Sequence, residues 1–276
     1  MYAESTICVE EGMVVQMATA QGVIDINSDV GESFGAWPMG YDERTLASVT
    51  SANIACGFHA GDPATMRETL RTAGRLNVSC GAHPGYPDLV GFGRRDMAMS
   101  PDEAAADLMY QVGALWAIAR AEGVQIRHVK PHGALYNRAA RDYVLALALA
   151  RAVRSLDLGL VLVGLAGSAM EQAAGEAGVA FAREAFADRA YNSDGSLVSR
   201  SRPGSVIENP AIVAQRAVSI ARNGSIETYD GGRINLVAHT ICVHGDTKQA
   251  AQTALAVKEA IATASIRIEP LWEIVS

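Results

Sequence analysis

Residues 158–164 read LGLVLVG, an uninterrupted apolar run that follows one helical pattern and precedes another. A strand with apolar side chains on both faces is typical of a parallel sheet that helices cover on both sides. This stretch therefore predicts a fully buried strand and, with it, an α/β fold.

The same alternation of short apolar runs and longer helical patterns extends over most of the 276 residues. Strands are predicted over residues 23–27, 51–56, 78–82, 126–130, 158–164, 179–184 and 235–244, with a last strand in the tail 266–274. Helices are predicted over residues 42–50, 63–76, 101–122, 141–156, 168–177, 209–223 and 247–264. About seven strand–helix units predict a single α/β barrel of the (β/α)7 type with mostly parallel strands, spanning residues 23–276. A doubly wound open sheet is the structural alternative.

Two helix starts carry signals of their own. Asp62 precedes Pro63, an N-cap followed by proline in the first turn. Ser100 is followed three residues later by Glu103, which predicts a capping box. These signals locate the helix starts independently of the hydrophobic pattern.

Composition argues against several classes of protein. The net charge is −7 and no basic stripe is visible, so neither nucleic acid nor a membrane is an expected partner. The four cysteines form no CxxC pair, so no disulfide framework is expected, in keeping with a cytoplasmic location. No apolar run is as long as a membrane span. Residues 1–22 contain no lysine or arginine, which argues against a signal peptide, and we expect a flexible N-terminal extension there.

Polar side chains follow nearly every predicted strand. These strand-end residues are Asp25, Asn27, Asp29 and Glu32 after the first strand, His59 and Asp62 after the second, His83 after the third, Lys130 and His132 after the fourth, Asp188 and Arg189 after the sixth, and His244 and Asp246 after the seventh. The carboxyl ends of parallel strands meet at one rim, where the active sites of such folds lie. We therefore expect these side chains to converge on one pocket that takes a small-molecule substrate.

Some of these polar residues have structural explanations as well. Asp25 could be an inward polar group bound to backbone amides, and Asp62 is a good N-cap. His128 and His239 lie within strands, where a hydrogen-bonded core histidine is the simpler interpretation.

Familiar catalytic motifs are absent from the sequence. It contains no GxxxxGK[ST] phosphate loop, no GxSxG elbow and no HExxH. The segment 91–95, GFGRR, offers backbone amides and guanidinium groups to an anion. Function must therefore be argued from the strand-end residues.

Six sequence blocks at the strand ends carry a family resemblance. They are DINSDVGESFG (25–35), NIACGFHAGDP (53–63), GAHPGYPDLVGFGRR (81–95), VKPHGALYN (129–137), FADRAYNSDG (186–195) and ICVHGD (241–246). In this order they resemble the LamB/YcsF family over residues 23–265. The resemblance implies a seven-stranded barrel of the glycoside hydrolase/deacetylase type. It also implies hydrolysis of 5-oxo-L-proline to L-glutamate with ATP hydrolysis, in a complex with 5-oxoprolinase subunits B and C.

We hypothesise that the rim performs the hydrolytic half of this reaction. The catalytic candidates are Asp25, Asp29, His59, Lys130 and His132, and the substrate-binding candidates are Asn27, Glu32, His83, Arg94, Arg95, Asp188, His244 and Asp246. A carboxylate, Asp25 or Asp29, would act as general base on water. Lys130 and His132 would stabilise the charge on an oxyanion or phosphoryl group, and His59 would position water or protonate the leaving nitrogen.

Several alternatives stay open at this point. ATP would be a co-substrate bound through the partner subunits, and a divalent metal would be held by Asp29, His59 and His132. The chain could instead be a metal-dependent deacetylase or amidase acting on a carbohydrate or an amide, or a non-catalytic subunit that presents substrate. The sequence also leaves a homo-oligomer open.

Overall fold

The computed structural model describes residues 22–40, 42–157, 159–244 and 249–275. The strands are β1 (Val23–Val30), β2 (Ser51–Ala55), β3 (Ser79–His83), β4 (Ile126–Val129), β5 (Val161–Leu165), β6 (Ala180–Phe186), β7 (Ser225–Glu227), β8 (Arg233–Asn235), β9 (Thr240–Cys242) and β10 (Arg267–Ile268). The helices are α1 (Asp42–Leu46), α2 (Pro63–Arg75), α3 (Pro101–Ala121), α4 (Gly133–Ala139), α5 (Tyr143–Leu156), α6 (Ala169–Ala177), α7 (Pro210–Asn223), α8 (Ala250–Thr263) and α9 (Leu271–Val275).

Seven of these strands close into a parallel barrel. Their order is β1, β2, β3, β4, β5, β6 and β9, and β9 pairs with both β6 and β1. The predicted (β/α)7-type barrel is confirmed, and the open-sheet alternative is wrong because β9 joins the two edges that an open sheet would leave apart. The short β10 pairs with the start of β1 at Val23 and Ile24.

The first strand shows how side chains are sorted between the two faces of the barrel wall. Ile24 and Ile26 are fully buried in the main apolar core, which surrounds the strands. Asp25, Asn27 and Asp29 alternate with them and face the barrel interior, since neighbouring residues of a strand point in opposite directions. Part of the barrel interior is therefore polar.

The C-terminal helix closes the amino-terminal end of the barrel. Leu271 of α9 is fully buried and packs against Val161, Val163 and Ala182, which belong to β5 and β6. This apolar plug lies at the end opposite the loops that follow the strands.

Both predicted helix starts are confirmed. The Asp62 carboxylate accepts hydrogen bonds from the backbone N–H groups of Ala64 and Thr65 at the start of α2. Ser100 and Glu103 form the reciprocal capping box at the start of α3. Two of the helices that surround the barrel are thus fixed at their amino ends by local chemistry.

The predicted strand over residues 235–244 is wrong over most of its length. Asn235 belongs to β8, which pairs antiparallel with β7 in a separate hairpin, and within this segment the barrel strand β9 covers Thr240–Cys242 alone. The tail 266–274 likewise splits into β10 and α9. In both segments the apolar pattern continues through the break, so tertiary pairing decides where the strand begins and ends.

Helix α4 was not predicted because it carries no capping signal. Its N-cap is His132, whose side chain makes no hydrogen bond to the first turn. Residues 1–21 of the expected extension, Leu158 of the predicted fifth strand, and residues 245–248, which include Asp246, lie outside the described residues. Among the residues that are described, no helix is both long and apolar enough to cross a bilayer.

Replacing the plug residue Leu271 with alanine should destabilise the barrel. The side chain is fully buried, so Leu271→Ala leaves a cavity, and the expected loss is about 2–5 kcal/mol of unfolding free energy. Urea denaturation measures it as a lower midpoint with an unchanged slope. Leu255→Ala on α8, where the side chain is 47% exposed, is the matched control and should change stability by less than about 1 kcal/mol. A plug variant as stable as the control would contradict this role for Leu271.

Candidate active site

The floor of the site is a buried ammonium group between two carboxylates. Lys130 follows β4, and its Nζ lies 2.9 Å from Asp29 Oδ1 and 2.8 Å from Glu184 Oε1. Burial disfavours a charged amine, but these carboxylates outweigh the effect and hold the pKa of Lys130 well above its usual value. The ammonium also donates to Asn27 Oδ1 at 3.2 Å, so its direction is fixed.

Asp29 is held as a carboxylate by its neighbours. Burial alone would raise its pKa, but the adjacent His83 and Lys130 hold the pKa of Asp29 well below its usual value. Asn53 of β2 donates an amide hydrogen to Asp29 Oδ1 at 2.8 Å, and His83 Nε2 lies 3.3 Å from Oδ2. Asp29 is therefore an oriented anion and a weak proton acceptor.

A hydrogen-bonded polar network fills the barrel beneath this pair. Asn27 donates to Glu184 Oε1 at 3.1 Å and to Thr240 Oγ1 at 2.7 Å, and it accepts from Asn53 at 2.7 Å. The Nε2 of His128 lies 2.8 Å from Asn53 Oδ1. Its ring occupies the space above Gly81, where an added Cβ would lie 2.1 Å from the ring, so β3 needs glycine at this position.

Asp25 lies at the deep end of the network, away from the rim. Its carboxylate accepts hydrogen bonds from the hydroxyls of Thr50 and Ser51, each at 2.7 Å, and from the hydroxyl of Thr240. Burial outweighs these bonds and raises the pKa of Asp25 to about 6. The alternative interpretation of Asp25, an inward polar group tied to its neighbours, matches this position, although the donors are hydroxyls rather than backbone amides.

Four further buried side chains meet beside Asp29. They are Glu32, His59, His83 and His132, and one ligand atom of each lies within 4.8 Å of the others. The rings of His59 and His132 stack with centroids 3.8 Å apart and planes 2° from parallel. Loop 91–95 covers this stack at Gly93, where an added Cβ would approach both rings to within 2.8 Å.

The hydrogen bonds of His83 and His132 fix where their lone pairs point. His83 donates from Nδ1 to the Lys130 carbonyl at 2.7 Å, and His132 donates from Nε2 to the Phe92 carbonyl at 2.9 Å. The remaining nitrogens, Nε2 of His83 and Nδ1 of His132, face each other at 3.0 Å. Two lone pairs at this distance need a proton or a cation between them.

A cavity of about 790 Å³ opens above these groups at the carboxyl ends of the strands. Among the predicted site residues, those that line it are Asp29, His83, Arg94, Lys130, His132, Arg189 and His244. His59 is fully buried and contacts the cavity through His132, and Glu32 lies beside both rings. The structure thus brings most of the predicted rim together.

The other predicted residues lie elsewhere. Asp25 and Asn27 do not reach the described cavity wall, and Arg95 points away from it in an ion pair with Asp88. Asp188 holds His244 through a 2.6 Å contact between Oδ2 and Nδ1. Burial would raise the pKa of Asp188, but the neighbouring His244 lowers it below its usual value, so Asp188 is ionised.

Comparison with known proteins matches this arrangement to a single family. A family model described as the LamB/YcsF family matches residues 24–276. The chain belongs to the LamB/YcsF family. A protein from Pseudomonas syringae pv. tomato, named as the third A-type subunit of 5-oxoprolinase, is 51% identical over 247 residues, which is 90% of this chain and 96% of that one. A 5-oxoprolinase A subunit from Acinetobacter baumannii is 52% identical, over 90% of this chain and 97% of that one.

A solved structure supports the same conclusion for the fold. The lactam utilization protein from Thermus thermophilus superposes with a TM-score of 0.85 at 48% identity. The match covers 89% of this chain and 98% of the other. The closed barrel of this LamB/YcsF chain is therefore shared with a protein whose name refers to lactams.

Two residues of the site were missed in the sequence. Glu184 ends the predicted sixth strand and supplies the second carboxylate to Lys130. Asn53 lies inside β2 and bridges Asn27 to Asp29. Each is a polar residue in an otherwise apolar strand, and that interruption is the signal that could have found them.

The LamB/YcsF histidine cluster could hold a metal ion, with a ligand set that differs from the prediction. Glu32 and His83 join His59 and His132, whereas Asp29 belongs to the neighbouring group around Lys130. Burial, His59 and His83 hold the pKa of His132 well below its usual value, so its ring is neutral, as a ligand must be. Outer N–H groups bound to carbonyls are typical of metal-ligating histidines.

The ring geometry limits how many of these histidines can bind one ion. A metal lies in the plane of each imidazole that binds it, and the parallel, stacked rings of His59 and His132 share no common plane. The present geometry therefore suits His83, His132 and Glu32. Neither ring nitrogen of His59 has a hydrogen-bond partner among the described residues, so a ring rotation would be needed to add it as a ligand.

The buried Asp25 should make folding stability depend on pH. Its folded pKa of about 6 exceeds the usual value of 3.8, so between these values the folded state binds a proton that the unfolded state has lost. The unfolding free energy should fall as pH rises through this window, by about 3 kcal/mol from this group. Asp25→Asn should remove the fall, so the variant gains stability relative to the parent between about pH 4 and pH 7 in urea titrations.

The control for this experiment is Asp102→Asn, an exposed carboxylate at the start of α3. Parallel pH profiles for the parent and the Asp25→Asn variant would show that Asp25 is not protonated in the folded state.

Proposed function

We propose that this chain is the lactam-hydrolysing A subunit of an ATP-dependent 5-oxoprolinase, acting on 5-oxo-L-proline together with partner subunits B and C. The observation that carries the proposal is the Asp29–Lys130 pair at the floor of a cavity that His83 and His132 also line. The names of the relatives support the substrate, and the proposed complex is consistent with their naming as subunits.

The chemistry of a lactam explains why ATP is needed. An amide carbonyl is a poor electrophile, and transfer of a phosphoryl group to its oxygen activates the ring carbon. Water then adds to that carbon, the C–N bond breaks, and the nitrogen takes up a proton. The resulting acyl phosphate reacts with a second water to give glutamate and phosphate, so the ring opening and the release of phosphate balance.

The described residues divide these tasks by position. Asp29 lines the cavity and orients the attacking water, whereas Asp25 lies too deep to do so. The Lys130 ammonium supplies fixed positive charge to the oxygen that becomes negative in the transition state. His132 faces the cavity and delivers the proton to the leaving nitrogen.

His59 acts through His132 rather than on the substrate. It is fully buried behind the stacked ring, and the low pKa that burial, His83 and Arg94 impose on His59 keeps it neutral. Its role in the proposal is to position His132.

Neutralising Asp29 should abolish ring opening while the fold is retained. Asp29→Asn keeps the shape of the side chain but removes the charge that faces Lys130, and we expect a loss of at least about 100-fold in turnover. The assay measures glutamate and ADP released by the chain reconstituted with subunits B and C. Lys258→Met, on α8, is the control and should retain parental turnover.

Far-UV circular dichroism and thermal unfolding establish that the Asp29→Asn variant is folded. Turnover near the parental rate in a folded variant would refute the assignment of Asp29. Activity after neutralising Asp29 and Lys130 together would instead favour a non-catalytic subunit that presents substrate.

A metal-dependent amidase that works without ATP is the second candidate, favoured by the facing lone pairs of His83 and His132. A divalent cation held by Glu32, His83 and His132 would lower the pKa of a bound water to near neutral. This candidate predicts lactam or amide hydrolysis by the isolated chain, which the ATP-dependent reaction does not.

Elemental analysis of the purified chain tests the metal site directly. A bound ion should give about one metal per chain, and His83→Asn should reduce this at least about 10-fold because a ligand and its carbonyl anchor are lost. His239→Asn removes a histidine whose Nδ1 accepts from the Arg183 backbone and should leave metal content unchanged. A parent protein purified without metal, and unable to take up zinc or manganese, would rule out the site.

A further inference from the structure

The cavity is larger and more basic than one lactam ring requires. Its volume of about 790 Å³ is within the range that encloses drug-sized ligands, about 300–1,000 Å³. Five arginines line it: Arg94, Arg141, Arg189, Arg200 and Arg202. The acidic residues among the described lining are Asp29, which faces Lys130, and Asp194. In a chain of net charge −7, such a concentration of positive charge needs an explanation.

Arg189 is the fixed centre of this arginine cluster. It is 5% exposed, and its guanidinium donates to the carbonyls of Ser205 at 3.3 Å and Val198 at 2.7 Å. Both carbonyls belong to the excursion between β6 and α7, so the same segment that forms the cavity wall also orients the charge. A buried guanidinium held by neutral carbonyls keeps its full charge available to the cavity.

The neighbouring arginines lie close enough to repel Arg189. Burial, and next to it the charge of Arg200, lowers the pKa of Arg189 to about 10, and Arg94 acts in the same direction. Arg94 also lowers the pKa of His59, after burial and His83. Arg94 therefore links the outer arginines to the inner histidine cluster.

Three separate segments of the chain supply the cluster. Arg94 follows β3, Arg141 lies between α4 and α5, and the other three belong to the excursion after β6. Arg202 is held with its guanidinium 4.6 Å from the centre of the Tyr229 ring. Since like charges gathered from distant segments destabilise a fold, the arrangement favours a ligand of opposite charge.

The ligand must carry more negative charge than the lactam itself. 5-Oxoproline has one carboxylate, which a single guanidinium can bind in bidentate fashion. Phosphate offers several oxygens with the geometry that guanidinium groups match. We propose that the arginine-lined outer half of the cavity binds a phosphoryl group directly above the Asp29–Lys130 pair. This inference rests on the proposed function, in which the lactam is activated by phosphorylation.

Two sources could bring the phosphoryl group to the arginine cluster. It could arrive as part of a nucleoside polyphosphate, or on the activated lactam after transfer elsewhere in the complex. Both place a doubly charged, tetrahedral group beside the arginines, and they differ in whether the phosphoryl group binds together with the substrate skeleton.

Calorimetric titration of the full chain tests the inference with four probes: ATP, tripolyphosphate, inorganic phosphate, and inorganic phosphate in the presence of saturating L-glutamate. The double variant Arg141→Gln/Arg200→Gln should bind the tightest probe at least about 10-fold more weakly, since each lost charged hydrogen bond changes affinity by about one order of magnitude. Both side chains are exposed, so the variant should fold. Arg151→Gln, an exposed arginine on the adjoining helix α5 that pairs with Glu176, is the matched control and should bind as the parent does.

The probes separate the two sources. Phosphate that binds more tightly in the presence of glutamate indicates the activated lactam. ATP and tripolyphosphate that bind more tightly than phosphate, with no effect of glutamate, indicate a nucleotide. In either case the affinity should fall as ionic strength rises.

The inference is overturned if no probe binds, or if the double variant binds every probe as well as the control. A double variant that instead loses affinity for subunits B and C, with no phosphate binding in the parent, would show that the arginines bind acidic groups of a partner. These titrations use the isolated chain and read binding alone. A failure here therefore leaves the glutamate-release test of the proposed function untouched, and the reverse also holds.

Discussion

The buried ammonium of Lys130 is the interaction on which the rest of the site depends. Removing one charge from such a buried group typically costs about 3–5 kcal/mol, because the partner is left uncompensated. Asp29 and Glu184 come from strands β1 and β6, so the closure of the barrel is what brings the compensating charges together. Asn27 and Asn53 then fix the carboxylate and amide groups by using their hydrogen-bonding capacity within the barrel. The site is thus preorganised by the same contacts that satisfy the barrel interior.

The histidine cluster depends on close approach of loops to this core. Gly93 lets loop 91–95 touch the stacked rings of His59 and His132, and a side chain there would displace one of them. The Phe92 carbonyl in the same loop accepts the His132 N–H and so directs its other nitrogen towards His83. Backbone carbonyls, rather than carboxylates, set the tautomers of this pair, which leaves Asp29 and Glu32 to interact with whatever proton or cation lies between the rings.

Charge is strongly segregated in this protein. The chain is acidic as a whole, yet arginines and Lys130 dominate the wall of its large cavity. A concave, low-dielectric surface of one sign concentrates counter-ions, and an acidic exterior repels the same anions elsewhere. This distribution favours capture of an anionic substrate at one place on the molecule and is invisible in the net charge.

The sequence by itself determined the fold class, because apolar strands that alternate with capped helices leave few ways to bury both faces of a sheet. It also determined which residues stand at the strand ends and which face of β1 carries Asp25, Asn27 and Asp29, since side-chain alternation has a fixed period. Depth was decided by the tertiary structure. Four residues of strand separate Asp25 from Asp29 by about 13 Å, so one lies among the hydroxyls of Thr50, Ser51 and Thr240 while the other lines the cavity.

Only the closed barrel could pair Glu184 with Lys130, point Arg95 away from the cavity, and place Glu32 and His83 rather than Asp29 in the histidine cluster. These outcomes depend on distances between residues far apart in the chain. Local pattern carries no information about such distances, and the packing of the barrel and its loops sets them.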